Sequence, residues 1–274
     1  MNRTPVVLIH GVWLHARSWE PWAERFAGRG FRALAPGWPG EAAAARGLRE
    51  SPAGLGRIGL DVLTDHYAGI VRSFDVPPVI VGHSVGGLIA QHLIAADLGR
   101  AAVAIAPAPV NGIPLHASPA RLPAPAPLPA PARRPSDEQL VHLSPERFHR
   151  LFANTVGAEE SARLHERHVV PAPRRLLADL GCGGAARSPR AVADVGNARR
   201  GPLLLISGQE DRLVPDAATR AVYRQYGDTA AVTDLKQFAD RAHSLVIDSG
   251  WRLVADYVLD WLEERGIRAD PSAG

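Results

Sequence analysis

The chain has 274 residues, 46% of them hydrophobic and 22% charged, which excludes a disordered protein and provides for one large core with an insertion. Its formal net charge is only +3, and the basic residues are almost all arginines scattered among carboxylates, so we expect no nucleic-acid partner. The one cysteine, Cys182, excludes an internal disulfide and a cluster of thiolate ligands.

Short apolar runs alternate along the chain with longer segments of helical period. This alternation predicts an α/β fold, a mostly parallel sheet of about six strands with helices on both faces. The predicted strands of the sheet are 6–10, 31–35, 77–81, 101–106, 203–207 and 230–238. The predicted helices around it are 18–28, 59–73, 87–94, 216–226 and 247–265.

The sheet pattern is interrupted by a proline-rich run. Ten prolines between positions 107 and 135 exclude a helix or a central strand there and favour an extended conformation. Three short helices are predicted after it, at 136–153, 158–168 and 173–180. We therefore expect residues 1–106 and 201–274 to form the core and residues 107–200 an inserted helical lid, although the proline run alone also fits a linker.

The motif Gly82-His83-Ser84-Val85-Gly86 lies between a predicted strand and a predicted helix. G-x-S-x-G in that setting is typical of a nucleophile elbow, a strained turn that exposes a serine hydroxyl. The glycines let the strand and the helix pass closely. An ordinary turn with an incidental serine is the alternative, and the flanking elements favour Ser84 as a nucleophile.

A serine hydroxyl needs a base within reach and a third group that orients the base. Asp211 follows the strand that ends at 207, and His243 follows the strand that ends near 238. In this architecture functional residues lie just past the carboxyl ends of strands, so the sequence predicts a triad of Ser84, Asp211 and His243. Asp240 stays as the second candidate for the acid.

Acyl transfer also needs N–H donors for the developing oxyanion. The first predicted donor is the backbone N–H of Val85, which directly follows the nucleophile. The second is the N–H of Val12, after the sharp turn that Gly11 permits at the end of the first strand. The N–H of Trp13 is the alternative second donor.

These motifs, in the order H-G-x-W, G-H-S-V-G-G, G-x-x-D-x-x-V-P and A-H-S, resemble those of the α/β-hydrolase superfamily. The resemblance covers most of the chain outside 107–200 and implies the same triad, with Val12 and Val85 as oxyanion donors. The opening V-L-I-H-G-V-W-L-H is similar to small esterases and to plant methylesterase and hydroxynitrile-lyase relatives, whereas D-R-L-V-P is similar to cofactor-free haloperoxidase-like esterases. The chain departs from the family in beginning at what resembles its third strand.

The nucleophile favours ester chemistry, because related dehalogenases and epoxide hydrolases carry aspartate at the position of Ser84. We expect a serine hydrolase that acts on a small, mainly apolar ester, thioester or lactone. Trp13, His15 and Trp38 follow strands at the catalytic edge and are candidates for the substrate pocket, although core packing accounts equally well for Trp38.

Two alternatives stay open at this point. One is a lyase, cyclase or acyltransferase that uses the same triad, and the other is a binding protein without turnover. No metal-ligand cluster, dinucleotide fingerprint or P-loop is present in the sequence, so we expect no cofactor. The absence of a leader and of a long apolar window predicts a cytoplasmic protein without a membrane partner.

Overall fold

The structure is a computed structural model that describes residues 3–41, 55–113, 140–182 and 188–269. Most of the proline-rich run and the first residues of the helix predicted at 136–153 lie outside those ranges.

A six-stranded sheet forms the centre of the described structure, and its strand order is β2-β1-β3-β4-β7-β8. Every neighbouring pair in that sheet is parallel, as predicted. A second sheet, in the inserted segment, pairs β5 with β6 antiparallel. The strands are β1 (Pro5–Ile9), β2 (Arg32–Leu34), β3 (Val79–His83), β4 (Ala101–Ile105), β5 (Leu140–Val141), β6 (Ala172–Pro173), β7 (Leu203–Gly208) and β8 (Thr233–Phe238).

Helices cover both faces of the large sheet. They are α1 (Glu20–Gly28), α2 (Leu60–Arg72), α3 (Val85–Ala95), α4 (Pro145–Leu151), α5 (Ala158–His168), α6 (Arg174–Asp179), α7 (Asp216–Gln225) and α8 (Trp251–Glu264). Apolar side chains of α2, α3 and α7 pack in one cluster with alternate residues of the strands, such as Val7 and Ile80. Apolar side chains of α1 and α8 pack on the opposite face, together with the other set of alternate strand residues, such as Leu8 and Val81. Because the central strands are buried on both faces, their sequences are continuous apolar runs.

The inserted segment differs from its prediction at its first helix. In place of one helix over 136–153, residues 140–141 form β5 and the helix begins at Pro145. Ser144 caps that helix, because its side chain accepts a hydrogen bond from the Arg147 N–H, and Pro145 occupies the first turn, where no N–H is needed. The strand depends on antiparallel pairing with β6, which lies about thirty residues further along the chain and leaves no local signal.

The closing helix begins at Trp251, four residues later than predicted. Residues 244–250 form turns around Asp248, whose carboxylate accepts hydrogen bonds from the Ser244 hydroxyl at 2.9 Å and the Gly250 N–H at 3.0 Å. A side chain that satisfies backbone donors in this way competes with helix formation. The described ranges contain no helix of the length and apolar character that crossing a bilayer would require.

The parallel strands bring four loops to one edge of the sheet. These loops follow β1, β3, β7 and β8, and they hold every residue that the sequence predicts for the triad and the oxyanion donors. The carboxyl edge of an open parallel sheet is the usual position of a ligand site.

Candidate active site

Ser84 lies in the turn between β3 and α3 with a backbone φ of 57° and ψ of −118°. This is a strained conformation for a residue with a side chain, and such strain costs on the order of 1–3 kcal/mol. The turn is held by backbone hydrogen bonds, since the Ser84 N–H donates to the Ile105 carbonyl at 2.9 Å and the Ser84 carbonyl accepts from the Ala108 N–H at 2.9 Å. The geometry is that of a nucleophile elbow.

The glycines of the motif are required by close backbone contacts. A Cβ at Gly82 would lie 2.0 Å from the Gly86 carbonyl oxygen, and a Cβ at Gly86 would lie 2.2 Å from the Ile9 carbonyl oxygen. Both distances are far inside van der Waals contact with backbone atoms, which cannot move independently. Strand β1, the elbow and helix α3 therefore pack this closely without strain only when glycine occupies these two positions.

We expect Gly86→Ala to lower the free energy of unfolding by about 2 kcal/mol, because the new methyl group displaces the backbone of β1. Urea denaturation of the purified variant measures this change. The matched control is Gly69→Ala in helix α2, where nothing lies within 4 Å of the added Cβ. That variant should gain about 0.5 kcal/mol from higher helix propensity, and equal stability of the two variants would contradict the crowding argument.

His243 and Asp211 form a buried pair at the same edge. The Nδ1 atom of His243 lies 2.7 Å from Oδ2 of Asp211, and both side chains are at most 2% exposed. A carboxylate only accepts hydrogen bonds, so the proton of the neutral ring lies on Nδ1 and Nε2 is left as the basic nitrogen. This is the arrangement of a general base with its orienting acid.

The second oxygen of Asp211 fixes the loop after β7. Its Oδ1 atom accepts hydrogen bonds from the N–H groups of Leu213 and Val214, both at 2.8 Å. Asp240, the other candidate for the acid, has a side chain that is 78% exposed and pairs with Arg241 at 3.6 Å. Asp211 is therefore the acid that contacts His243.

His83 lies between Ser84 and His243. It directly precedes Ser84, its Nε2 atom lies 3.0 Å from the His243 carbonyl oxygen, and the two rings are 4.5 Å apart. Complete burial, together with the charges of His243 and His10, holds the pKa of His83 well below its ordinary value. The ring is therefore neutral and donates through Nε2, which attaches the loop that holds His243 to the end of β3.

The inserted segment reaches this edge through Phe152. Its ring lies edge-on to the His243 ring, with centroids 4.7 Å apart. Its carbonyl accepts a hydrogen bond from the Ser244 N–H at 2.8 Å. Phe152, just after helix α4, therefore packs on the His243 ring and is hydrogen-bonded to Ser244, the residue that follows His243.

Residues 10–16, which we call the oxyanion loop, follow β1 and lie against the elbow. A Cβ at Gly11 would lie 2.7 Å from the Ser84 Cβ, so only glycine allows this approach. Val12 follows at once, and both Val12 and Val85 are buried. Val85 is the first residue of α3, where backbone N–H groups have no acceptor inside the helix.

Trp13 joins the oxyanion loop to the inserted segment. Its backbone has a left-handed φ of 65°, its Nε1 donates to the Val141 carbonyl at 3.1 Å, and its own carbonyl accepts from the Val170 N–H at 3.0 Å. Trp13 is the least buried of the three residues that the sequence predicts for the pocket.

The other two predicted pocket residues, His15 and Trp38, are buried beside Glu41. The Nε2 atom of His15 lies 3.5 Å from Oε1 of Glu41, and the Trp38 N–H donates to Oε2 at 2.8 Å. The Trp38 indole stacks on the His10 ring with centroids 4.6 Å apart. These contacts account for their burial.

Sequence reasoning missed His83, Phe152 and Glu41. His83 had a signal, since it occupies the variable position just before the serine of the elbow motif. Glu41 and Phe152 had none, because each reaches the edge through contacts with residues far away in the chain. Within the described ranges, no group of three or more His, Cys, Asp or Glu side chains is arranged to hold a metal ion.

Comparison with solved structures shows the same fold in several enzymes. A methylesterase from Arabidopsis matches over 95% of this chain and 99% of its own, with a TM-score of 0.63 and 16% identity. A monoacylglycerol lipase from Paleococcus ferrophilus matches over 94% of this chain and 93% of its own, with a TM-score of 0.64 and 20% identity. Tomato methylketone synthase I, in complex with 2-tridecanone, covers 96% and 99% of the two chains with a TM-score of 0.67 and 14% identity.

At these identities the likeness concerns the fold. A search of curated proteins returns no match to this sequence. The model of the alpha/beta hydrolase family, by contrast, matches residues 6–257, nearly the whole chain. Together with the parallel sheet and the strained serine turn between β3 and α3, this match shows that the chain belongs to the alpha/beta hydrolase family.

Proposed function

We propose that the protein is a serine hydrolase that cleaves a small, mainly apolar carboxylic ester, thioester or lactone through an acyl-enzyme on Ser84. The observation that carries this proposal is the buried His243–Asp211 pair, 2.7 Å from Nδ1 to Oδ2, at the sheet edge where Ser84 occupies its strained turn. A nucleophile, a base and an orienting acid are the minimum set for this chemistry.

The proposed reaction has two stages, acylation and deacylation, and in each of them protons pass through His243. Ser84 Oγ attacks the carbonyl carbon while its proton passes to His243 Nε2, and the bond to the leaving group then breaks as that proton passes to the departing oxygen or sulfur. Water next attacks the acyl carbon as its proton passes to the same nitrogen. The bond between that carbon and Ser84 Oγ then breaks, the proton returns to Ser84 Oγ and the carboxylic acid leaves. Asp211 stabilises the imidazolium that forms in each step.

We propose the N–H groups of Val12 and Val85 as the oxyanion hole. The approach of Gly11 to Ser84 and the position of Val85 at the start of α3 support this assignment. Both donors belong to backbone that is fixed before substrate arrives, so little reorganisation is needed as charge develops on the carbonyl oxygen.

We also propose that residues 107–200 form a lid over a core of residues 1–106 and 201–274. The contacts of Phe152 with His243 and of Trp13 with Val141 support a segment that covers the catalytic edge. Trp13 would touch the substrate directly, whereas the buried His15 and Trp38 would shape that wall of the pocket from behind.

The proposed reaction uses protein groups and water alone, so we propose no cofactor. The proposed partner is a small ester-like molecule, and the proposed compartment is the cytoplasm.

A fluorophosphonate probe followed by a series of p-nitrophenyl esters tests the function. We expect one probe per chain, attached to the peptide that contains Ser84, and turnover that is fastest for short acyl chains. Labelling without hydrolysis of any ester would favour lyase, cyclase or acyl-transfer chemistry. Analysis of the products formed in the presence of acceptor substrates would then identify the reaction. A folded protein that takes no probe and turns over no ester would contradict the proposal and favour a binding protein.

A further inference from the structure

Glu41 lies in the segment after β2, yet its carboxylate contacts the oxyanion loop at both ends. Its Oε2 atom lies 3.3 Å from His10 Nε2, at the start of the loop. Its Oε1 atom accepts from the Ala16 N–H at 3.3 Å and lies 3.5 Å from His15 Nε2, at the end of the loop. One carboxylate therefore spans the loop that carries Val12.

Glu41 and the two histidines are almost completely removed from solvent. Their side-chain exposures are 2% for Glu41, 1% for His10 and 3% for His15. Burial by itself raises the pKa of Glu41, but the charges of His10 and His15 and the hydrogen bond from the Trp38 N–H together lower it below its ordinary value. Glu41 is therefore ionised at neutral pH. A buried charge is tolerated only where its partners are held in place, so the contacts are mutually dependent.

The surrounding residues are shaped around this carboxylate. A Cβ at Gly37 would lie 2.3 Å from Oε2 of Glu41, so glycine leaves the space that the carboxylate occupies. The Trp38 N–H donates to the same oxygen at 2.8 Å, and its indole stacks on His10. The segment 37–41 thus holds the first residue of the oxyanion loop from two sides.

We propose that Glu41 is a positioning residue for oxyanion stabilisation: its carboxylate clamps both ends of the oxyanion loop so that the Val12 N–H points to the developing oxyanion. The inference rests on the proposed function, because it assigns a role within that reaction. Gly11 packs against Ser84 and leaves the loop little freedom on that side, so the remaining movement of Val12 is controlled at His10, His15 and Ala16. Glu41 holds all three.

Glu41→Gln tests the clamp, because glutamine keeps the size but loses the charge and one of the two accepting oxygens. We expect kcat to fall about tenfold, less than the loss of a whole oxyanion donor, with KM within about twofold of wild type. The affinity for a trifluoromethyl ketone, which forms a tetrahedral adduct with the nucleophile, should fall by a similar factor of about ten. Rates are expressed per active site titrated with the fluorophosphonate, so partial unfolding does not enter the comparison.

The matched control is Glu20→Gln. Glu20 lines the same surface cavity of about 250 Å³ as Glu41, but its side chain is 47% exposed and pairs with Arg17. Its kcat and ketone affinity should equal those of wild type. If Glu41→Gln does not fold, Gly37→Ala replaces it, because the added methyl displaces the carboxylate while every polar group is kept; the same two losses are expected, in smaller degree.

A folded Glu41→Gln variant with wild-type kcat and ketone affinity per titrated site would overturn the inference, even if its melting temperature fell. Unchanged values in Gly37→Ala would overturn it in the same way. Failure of the proposed function gives a different result, since wild type itself would then neither bind the probe nor hydrolyse esters. In that case the proposed role of Glu41 would be rejected as well.

Discussion

Ser84→Ala is expected to reduce kcat for p-nitrophenyl esters about 10⁶-fold, to the rate of a protein that has lost its nucleophile. Alanine fits the same turn, whose crowding arises from Gly82 and Gly86 and from backbone contacts. The fold should therefore survive, with a melting temperature close to that of wild type. Initial rates, probe labelling and circular dichroism measured on one preparation separate loss of chemistry from loss of structure.

Ser18→Ala is the matched control, because Ser18 is a buried serine whose hydroxyl has no hydrogen-bond partner among the described residues. Its activity and labelling should match wild type. Substantial turnover by a folded Ser84→Ala protein would refute the acyl-enzyme mechanism.

Asp211→Asn is expected to reduce kcat about 10⁴-fold, because a neutral amide no longer stabilises the imidazolium and no longer selects the tautomer with the proton on Nδ1. The steps affected are the proton transfers through His243 in acylation and deacylation, so KM should change little. The exchange also removes the charge from Oδ1 of residue 211, which accepts from the Leu213 and Val214 N–H groups. We therefore expect a modest decrease in the free energy of unfolding, because the loop after β7 is held less firmly.

Asp240→Asn is the control for this experiment. The exposed Asp240 pairs only loosely with Arg241, so its replacement should leave kcat within about twofold of wild type. Steady-state kinetics of both variants at several pH values measure the two effects side by side. If Asp240→Asn proved the more damaging change, the acid would have to be reassigned.

The main features of the fold follow from local patterns. Central strands that are buried on both faces have nearly uninterrupted apolar sequences, so the parallel sheet is readable from the chain. The elbow is readable for a different reason, since backbone crowding at Gly82 and Gly86 strongly favours glycine at both positions. The elbow motif itself is local, although the crowding at Gly86 comes from the Ile9 carbonyl in the distant strand β1.

Two helices begin later than predicted, one because of a distant strand pairing and one because of local turns. The pairing of β5 with β6 converts part of a predicted helix into a strand. Turns around Asp248 delay the closing helix to Trp251. In both segments the helical pattern of the sequence is genuine, but backbone groups find partners outside a helix.

By itself the sequence determined the α/β architecture, the chain order of nucleophile, acid and base candidates, and the glycines that let the backbone pack at the elbow. Only the tertiary structure decided which acid contacts His243, because Asp211 and Asp240 follow neighbouring strands and only Asp211 is buried against the histidine. It also decided that His10, His15 and Trp38 surround Glu41. Those contacts form because the parallel pairing of β1 and β2 brings the loops after both strands to one edge, a proximity that no local pattern records.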